Sequence, residues 1–169
     1  MMRKRRVGCV LASLLLTASF LVTFVVHAAA QDCTKDQLFQ DFTAGWSQDM
    51  PRLLSTVTDD VVYEDATLGV VNHGKEELRA FAQGFFNAFP DLHFTMTSCF
   101  VSGKLAATEW IGTGTHKGDM PGMPATNKVA SIRGVSVIEL QDGKIKHDTD
   151  YWDMATMMRQ LGFLPGPAK

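Results

Sequence analysis

The 169-residue sequence has only three cysteines, little basic charge beyond its first residues and no short motif that binds phosphate. A glycine-rich phosphate loop, a nucleophile elbow and a CxxC pair are all absent from it. The histidines His93, His116 and His147 lack the spacing of metal ligands, so no metal centre is predicted. Beyond residue 30 the sequence holds 12 Lys and Arg against 18 Asp and Glu, a formal charge of −6. This balance argues against nucleic acid or an anionic membrane surface as a partner.

The first thirty residues have the composition of a targeting segment. Residues 3–6 are basic, residues 7–26 carry no charge, and residues 28–30 are alanines. This pattern predicts a signal peptide over residues 1–30, with Gln31 as the mature N-terminus and export to the periplasm or the exterior. The apolar run is long enough that an uncleaved N-terminal membrane anchor is the alternative.

Two cysteines, Cys33 and Cys99, remain after the predicted cleavage site. An oxidising compartment would permit a disulfide between them, and two free, half-buried thiols are the alternative. The remaining residues, 31–169, are enough for one domain with a hydrophobic core and too few for a second.

Helical patterns come first along this domain. Residues 34–37 have the spacing of a capping box and predict a helix to about residue 48, followed by a short helix over 50–57. Residues 61–63 indicate a short strand and residues 72–74 a turn. The clearest helix has an apolar stripe from Leu78 to Phe89 and stops at Pro90.

Strand patterns follow. Residues 92–101 and 105–114 predict one hairpin, residues 128–140 and 144–151 a second, and residues 116–127 the loop between them. Asp153 can cap a last helix over 154–161. Helices followed by a run of strands predict an α+β fold, in which amphipathic helices pack on a curved antiparallel sheet. Such a cone encloses a central, mostly apolar pocket.

The end of the last predicted strand, "HDTDYWD", carries three acids where strand positions disfavour Asp. Alternation places Asp148, Asp150 and Trp152 on one face. A carboxyl buried beside an aromatic wall has a raised pKa and can take and return a proton near neutrality. We assign that role to Asp150 and expect Asp153 to cap the following helix. Asp148 is expected to be solvated; the alternative is that it raises the pKa of Asp150 as a neighbouring acid.

Trp110, Gly112, Gly114 and His116 share one face of the strand "WIGTGTH", where the glycines would leave space for a planar ligand. Trp110 is therefore a candidate substrate contact. His116 either belongs to the site or anchors the long loop by hydrogen bonding.

Tyr63 and Asp65 close the first predicted strand, and Asp65 either joins Asp150 or is solvated. Trp152 and Tyr63 complete the candidate substrate contacts. Arg133 either holds an anionic group of the substrate or pairs with an acid.

Six short motifs, in this order, resemble the SnoaL-like polyketide cyclases of the nuclear transport factor 2-like superfamily. The resemblance spans essentially the whole of residues 31–169 and is carried by "AFPDL" (88–92), "GTHKG" (114–118), "GMP" (122–124), "DGKI" (142–145), "YWD" (151–153) and "QLG" (160–162). It implies the same α+β cone. It also implies an intramolecular aldol ring closure without metal or cofactor, in which the residue matching Asp150 is acid and base. His116 would then hydrogen-bond a substrate oxygen.

The resemblance further implies a small hydrophobic carbonyl ligand, and a homodimer through the open sheet face is an expectation from the superfamily. Residues 147–149 and the leader depart from the pattern of the cyclases, which act inside cells. The segment "VYEDATLG" (62–69) resembles the pattern that carries the base in ketosteroid isomerases, and Asp65 would match that base. We therefore predict an exported SnoaL-like domain with acid/base activity on a carbonyl compound; the alternative is a non-catalytic binding or accessory protein of the periplasm.

Overall fold

The computed structural model describes residues 29–166. The predicted signal peptide lies outside this range except for its last two residues, so it stays a prediction. Within 29–166, no helix is both long and apolar enough to cross a membrane.

One seven-stranded, curved sheet forms the body of the molecule. Its spatial order is β1-β4-β5-β6-β7-β2-β3. All neighbouring strands are antiparallel except β2 and β7, which run parallel. The strands are β1 (Gln31–Asp32), β2 (Val57–Asp65), β3 (Val70–His73), β4 (His93–Ser102), β5 (Leu105–Thr115), β6 (Val129–Gln141) and β7 (Lys144–Trp152).

Four helices pack with the sheet, and they are α1 (Gln37–Gly45), α2 (Met50–Ser55), α3 (Gly74–Ala88) and α4 (Met154–Leu161). The apolar stripe of α3 buries Leu78, Ala82 and Phe86 in the main core, which α1, α2 and the concave sheet face also build. As predicted, Asp153 caps α4, because its carboxylate accepts from the Thr156 amide at 2.8 Å. The α+β cone predicted from the sequence is confirmed.

Cys33 and Cys99 form a disulfide across 66 residues of sequence. Both cysteines are buried, and the Cys33 amide also donates to the Cys99 carbonyl at 3.1 Å. These contacts fix the short edge strand β1 to β4. The structure therefore selects the bridge over the alternative of two free thiols.

Three local predictions were wrong. The first helix is capped by Asp36 rather than Thr34, since the Asp36 carboxylate accepts from the Leu38 amide at 2.9 Å. The predicted turn at 72–74 is instead the end of β3 and the start of α3, and the reversal lies at residues 66–69. The predicted short strand is nine residues long because β2 pairs with β3 on one side and β7 on the other.

The convex sheet face exposes several large apolar side chains, among them Phe100, Leu105, Val137 and Tyr151. The homodimer stays a prediction.

Candidate active site

A pocket opens between the helices and the concave face of the sheet. Its volume is about 800 Å³, including the open mouth. Most of its walls are aromatic or aliphatic, and the carboxyl groups of Asp65 and Asp150 lie in the wall beside Ser136 and Tyr63. The aromatic wall consists of Phe42, Trp46, Tyr63, Phe81, Phe85, Phe89, Phe94, Trp110 and Trp152. An apolar cavity with a few convergent polar groups is the form that most small-molecule sites take.

Asp150 is buried in the pocket wall and is held by hydrogen bonds on both carboxyl oxygens. Its side chain points inward from β7 and is 7% exposed. Tyr63 donates its hydroxyl hydrogen to Oδ2 of Asp150 at 2.6 Å, and Ser136 donates to Oδ1. Both donors come from strands that flank β7, so the sheet itself fixes the carboxylate.

Burial raises the pKa of Asp150 from 3.8 to about 6, while the hydrogen bonds from Ser136 and Tyr63 oppose the shift by stabilising the charged form. The nearby Asp65 carboxylate also raises the pKa. A carboxyl with this pKa is largely ionised at neutral pH, yet it can hold a proton during a reaction. Asp150 therefore has the chemistry of a general base and acid.

Ser136 was not predicted, although it connects two of the predicted residues. The Trp110 indole donates from Nε1 to Ser136 Oγ at 3.0 Å, and Ser136 in turn donates to Asp150. Ser136 lies opposite Asp150 in the pairing of β6 with β7. Counting back from the predicted turn at residues 141–143 would have found this small hydroxyl residue, but a register shift between Glu139 and Leu140 must be allowed for.

Asp65 lies beside Asp150, because the two residues are partners in the parallel pairing of β2 with β7. Asp65 is 2% exposed, so the solvated alternative is wrong. Trp152 donates from Nε1 to Asp65 Oδ2 at 2.9 Å, and the Leu68 amide donates to Oδ1 at 2.8 Å. Burial still raises the pKa of Asp65.

Asp148 is the clearest error among the predictions for the acids. It was expected to be solvated, yet it is 1% exposed and neither carboxyl oxygen has a hydrogen-bond partner. Burial, followed by the charge of Asp150, raises its pKa well above the usual 3.8. Burial therefore favours the neutral form of Asp148, and this residue is not among those that line the pocket.

The glycines of β5 face inward as predicted, but aromatic rings use the space that they leave. A Cβ on Gly112 would lie 3.1 Å from the Phe94 ring, and that ring packs edge-on against Trp110 at 5.0 Å between centroids. On β6, a Cβ on Gly134 would lie 2.3 Å from the Trp110 ring. The glycines therefore set the position of the aromatic wall, and the ligand space lies beyond it.

His116 is fully buried but does not line the pocket. Its ring stacks on Phe89 at 5.2 Å, Nδ1 lies 3.3 Å from Thr126 Oγ1, and its backbone bonds to Asn127 and Lys128. Burial lowers the pKa of His116. The structure therefore supports the alternative in which His116 anchors the loop, and His116 is not among the residues that share the pocket with Asp150.

Arg133 points to the convex face, since Gly134 and Ser136 occupy the inward positions of β6. Its side chain is 74% exposed and its guanidinium lies 3.8 Å from Glu109. The prediction that Arg133 contacts a substrate is wrong for this reason, and the pairing with an acid is observed. Among residues 29–166, no group of three or more His, Cys, Asp or Glu could hold a metal ion.

The fold and the pocket define a class of protein: the α+β cones that include nuclear transport factor 2-like and ketosteroid isomerase-like structures. Residues 36–161 match the model of the SnoaL-like polyketide cyclase family, and the chain belongs to that family. The resemblance stated from the sequence is confirmed. A search of curated proteins gives no match.

Several solved structures share the fold. TsrD from Streptomyces laurentii is 25% identical with a TM-score of 0.70, over 78% of this chain and 97% of that one. AclR from Streptomyces galilaeus, a proposed hydroxylase, is 24% identical with a TM-score of 0.68, over 78% and 83%. IdmH from Streptomyces antibioticus, a proposed polyketide cyclase, is 23% identical with a TM-score of 0.66, over 76% and 98%.

Proposed function

We propose that the pocket binds a hydrophobic carbonyl compound and that Asp150 transfers a proton on it, in a cyclase or isomerase type of reaction. The single observation that carries this proposal is the carboxyl of Asp150, buried in the wall of an aromatic pocket and held by Tyr63 and Ser136. The chemistry needs neither metal nor cofactor, since a carbon next to a carbonyl is acidic enough for a positioned base.

The reaction begins with Asp150 as the base. Each oxygen of its carboxylate accepts one hydrogen bond within the protein and keeps a second lone pair for the substrate. The carboxylate removes a proton from the carbon beside the carbonyl and leaves an enolate. The neutral Asp150 then returns the proton to a new alkoxide after ring closure, or to another carbon in an isomerisation.

Tyr63 and Ser136 are positioning residues in this scheme. Burial and the neighbouring acids raise the pKa of Tyr63 well above 10.0, so its hydroxyl stays protonated and continues to donate to Asp150. The rings of Trp110 and Trp152 line the cavity. A hydrogen bond to Ser136 fixes the Trp110 ring, and a hydrogen bond to Asp65 fixes the Trp152 ring. Their flat faces suit a planar substrate.

The test is deuterium exchange. The protein is incubated in D₂O with 2-tetralone as a hydrophobic probe ketone, and loss of the proton signals beside the carbonyl is followed by NMR. We expect exchange above the buffer rate with the wild type and none above it with Asp150→Asn. Glu139→Gln, on the convex side of β6, should behave as the wild type. Equal exchange by wild type and Asp150→Asn would reject the role of Asp150.

The alternative function is binding without turnover. It is favoured by the commitment of the Tyr63, Ser136 and Trp152 donors to carboxylates, which leaves them unavailable to an enolate oxygen. A ligand that raises the melting temperature in proportion to the logarithm of its concentration, without proton exchange, would support this alternative.

Export stays part of the proposal. The bridge between Cys33 and Cys99 supports it, because structural disulfides persist in oxidising compartments. Cell fractionation and mass spectrometry of the purified protein test it. We expect an exported chain that begins at Gln31 and has no free thiol; a cytoplasmic chain with both thiols reduced would contradict it.

A further inference from the structure

At the polar end of the pocket, the two carboxylates accept all of the hydrogen bonds that the neighbouring side chains donate. Tyr63 and Ser136 both donate to Asp150, and Trp152 donates to Asp65. The second oxygen of Asp65 is taken by a backbone amide. The side-chain donors around the two carboxylates are therefore already engaged. Each carboxylate oxygen can still accept a further hydrogen bond, which a ligand could donate.

The other polar groups of the lining add little donor capacity. The Trp110 indole donates to Ser136, and the Thr43 hydroxyl donates to the Phe39 carbonyl at 2.8 Å. Among the side-chain donors of the lining, only the Trp46 indole and the Thr108 hydroxyl have no hydrogen-bond partner in the part of the chain that the structure describes. A ligand oxygen that needs several donors, as a carboxylate or phosphate does, is poorly served here.

The charge of the lining residues also disfavours an anionic ligand. Two acids line the cavity, and no Lys, Arg or His is among the lining residues. Arg133, on the neighbouring strand β6, lies on the opposite face. At neutral pH an anionic group would thus meet negative charge in a site of low dielectric, where repulsion is stronger than in water.

The walls supply what a cation needs besides a counter-charge. Three tryptophans, one tyrosine and five phenylalanines face the cavity. Trp46 lies 5.3 Å from Tyr63 and 6.1 Å from Phe94 between ring centroids, so these three lining rings pack together in one part of the wall. Aromatic faces attract ammonium groups through their quadrupoles, most strongly when the contact is desolvated.

We propose that the pocket is a site for organic cations: hydrophobic amines or quaternary ammonium compounds whose positive centre lies against Asp150 or Asp65 and whose apolar body contacts the aromatic walls. The inference rests on the acids and the aromatic walls of the lining and not on turnover, so it holds for a pure binder as well as for an enzyme. A carbonyl compound that also bears a basic nitrogen would satisfy it together with the proposed proton transfer.

Three probes of one shape test the charge preference: 1-naphthylmethylamine, 1-naphthylmethanol and 1-naphthoate, which are cationic, neutral and anionic at pH 8. Their affinities for the purified protein, with the disulfide intact, are measured by isothermal titration calorimetry. We expect the amine to bind at least tenfold more tightly than the alcohol, and the acid not to bind. Benzylamine, benzyl alcohol and benzoate carry the same three groups on a smaller ring. Comparing the two series separates the effect of charge from the effect of ring size.

Asp150→Asn and Asp65→Asn should each reduce the ratio of amine to alcohol affinity at least threefold, and Glu139→Gln should leave it unchanged. Circular dichroism checks that each variant is folded, and the second acid keeps the test valid when one variant is not. Equal or tighter binding of the alcohol, binding of the acid, no binding of either amine, or an unchanged ratio in every folded variant would overturn the inference. Turnover is not measured, so failure of the proposed catalysis leaves this result unaffected.

Discussion

Burial of Asp150 makes the stability of the protein depend on pH in a direction that can be worked out. The pKa of Asp150 is about 6 in the folded protein and 3.8 without the fold. Because the folded state holds the proton more tightly, the group's full contribution to stability is present below pH 3.8 and is lost as the pH rises through 6. The difference corresponds to about 3 kcal/mol, since one pKa unit is about 1.4 kcal/mol.

The substitution Asp150→Asn isolates this contribution. Asparagine keeps the shape and an acceptor oxygen but cannot ionise, so the variant does not lose this stability as the pH rises. Relative to the wild type, its free energy of unfolding should therefore rise by about 2 kcal/mol between pH 4 and pH 8, because part of the full difference already disappears below pH 4. The change should not be smaller because of Asp148, since removing the charge at position 150 also lowers the pKa of that neighbour.

Urea titrations followed by circular dichroism at several pH values give the required free energies. Surface ion pairs such as Lys146 with Asp60 affect both proteins equally, so they cancel in the difference. Glu139→Gln should run parallel to the wild type at every pH. A difference between Asp150→Asn and the wild type that stays constant from pH 4 to pH 8 would refute the desolvated state of Asp150.

Three further substitutions probe the residues around this carboxyl. Asp148→Asn removes a buried acid that has no hydrogen-bond partner, so its melting temperature should exceed that of the wild type at pH 8, with the gap closing at pH 4. A gap independent of pH would contradict the raised pKa of Asp148. Gly134→Ala places a methyl group against the Trp110 ring and should cost about 1–3 kcal/mol in urea unfolding, whereas an unchanged midpoint would mean that the ring yields freely. Ser136→Ala removes a donor to the charged form of Asp150, so the carboxyl ¹³C titration of Asp150 should move above its wild-type midpoint, and a downward shift would contradict the hydrogen bond.

Local patterns in the sequence were enough to predict most of the elements. The stripe of α3 and the cap at Asp153 depend on residues close in sequence, and both appear where predicted. The cap at Asp36 was missed because the disulfide of Cys33 and the pairing of β1 hold the preceding residues outside the helix.

The error at Asp148 has a non-local cause. Alternation correctly placed Asp148 on the same face as Asp150, but burial depends on what covers that face. The parallel pairing brings Tyr63 of β2 directly beside Asp148, and this pairing joins residues more than eighty positions apart. Acids at strand ends are usually solvated, and nothing within one strand shows that a neighbour encloses them.

The directions of the Ser136 and Arg133 side chains also could not be predicted from one strand alone. Both lie on β6, three residues apart, and their faces follow from the register with β5 and β7. The register shift near residue 139 means that a simple count from the hairpin turn fails by one position. The roles of His116 and Arg133 could be listed as alternatives from the sequence, and only the packing of the strands decided between them.

The central claim is that Asp150 acts as the base, and the pH dependence of its catalysis tests this most directly. The rate of deuterium exchange into 2-tetralone, measured at probe concentrations well below saturation, should rise with pH as Asp150 ionises. We predict a midpoint near pH 6 and a plateau above it, with no such rise in Asp150→Asn. A midpoint near 4, a rate independent of pH, or the same profile in Asp150→Asn would contradict the account.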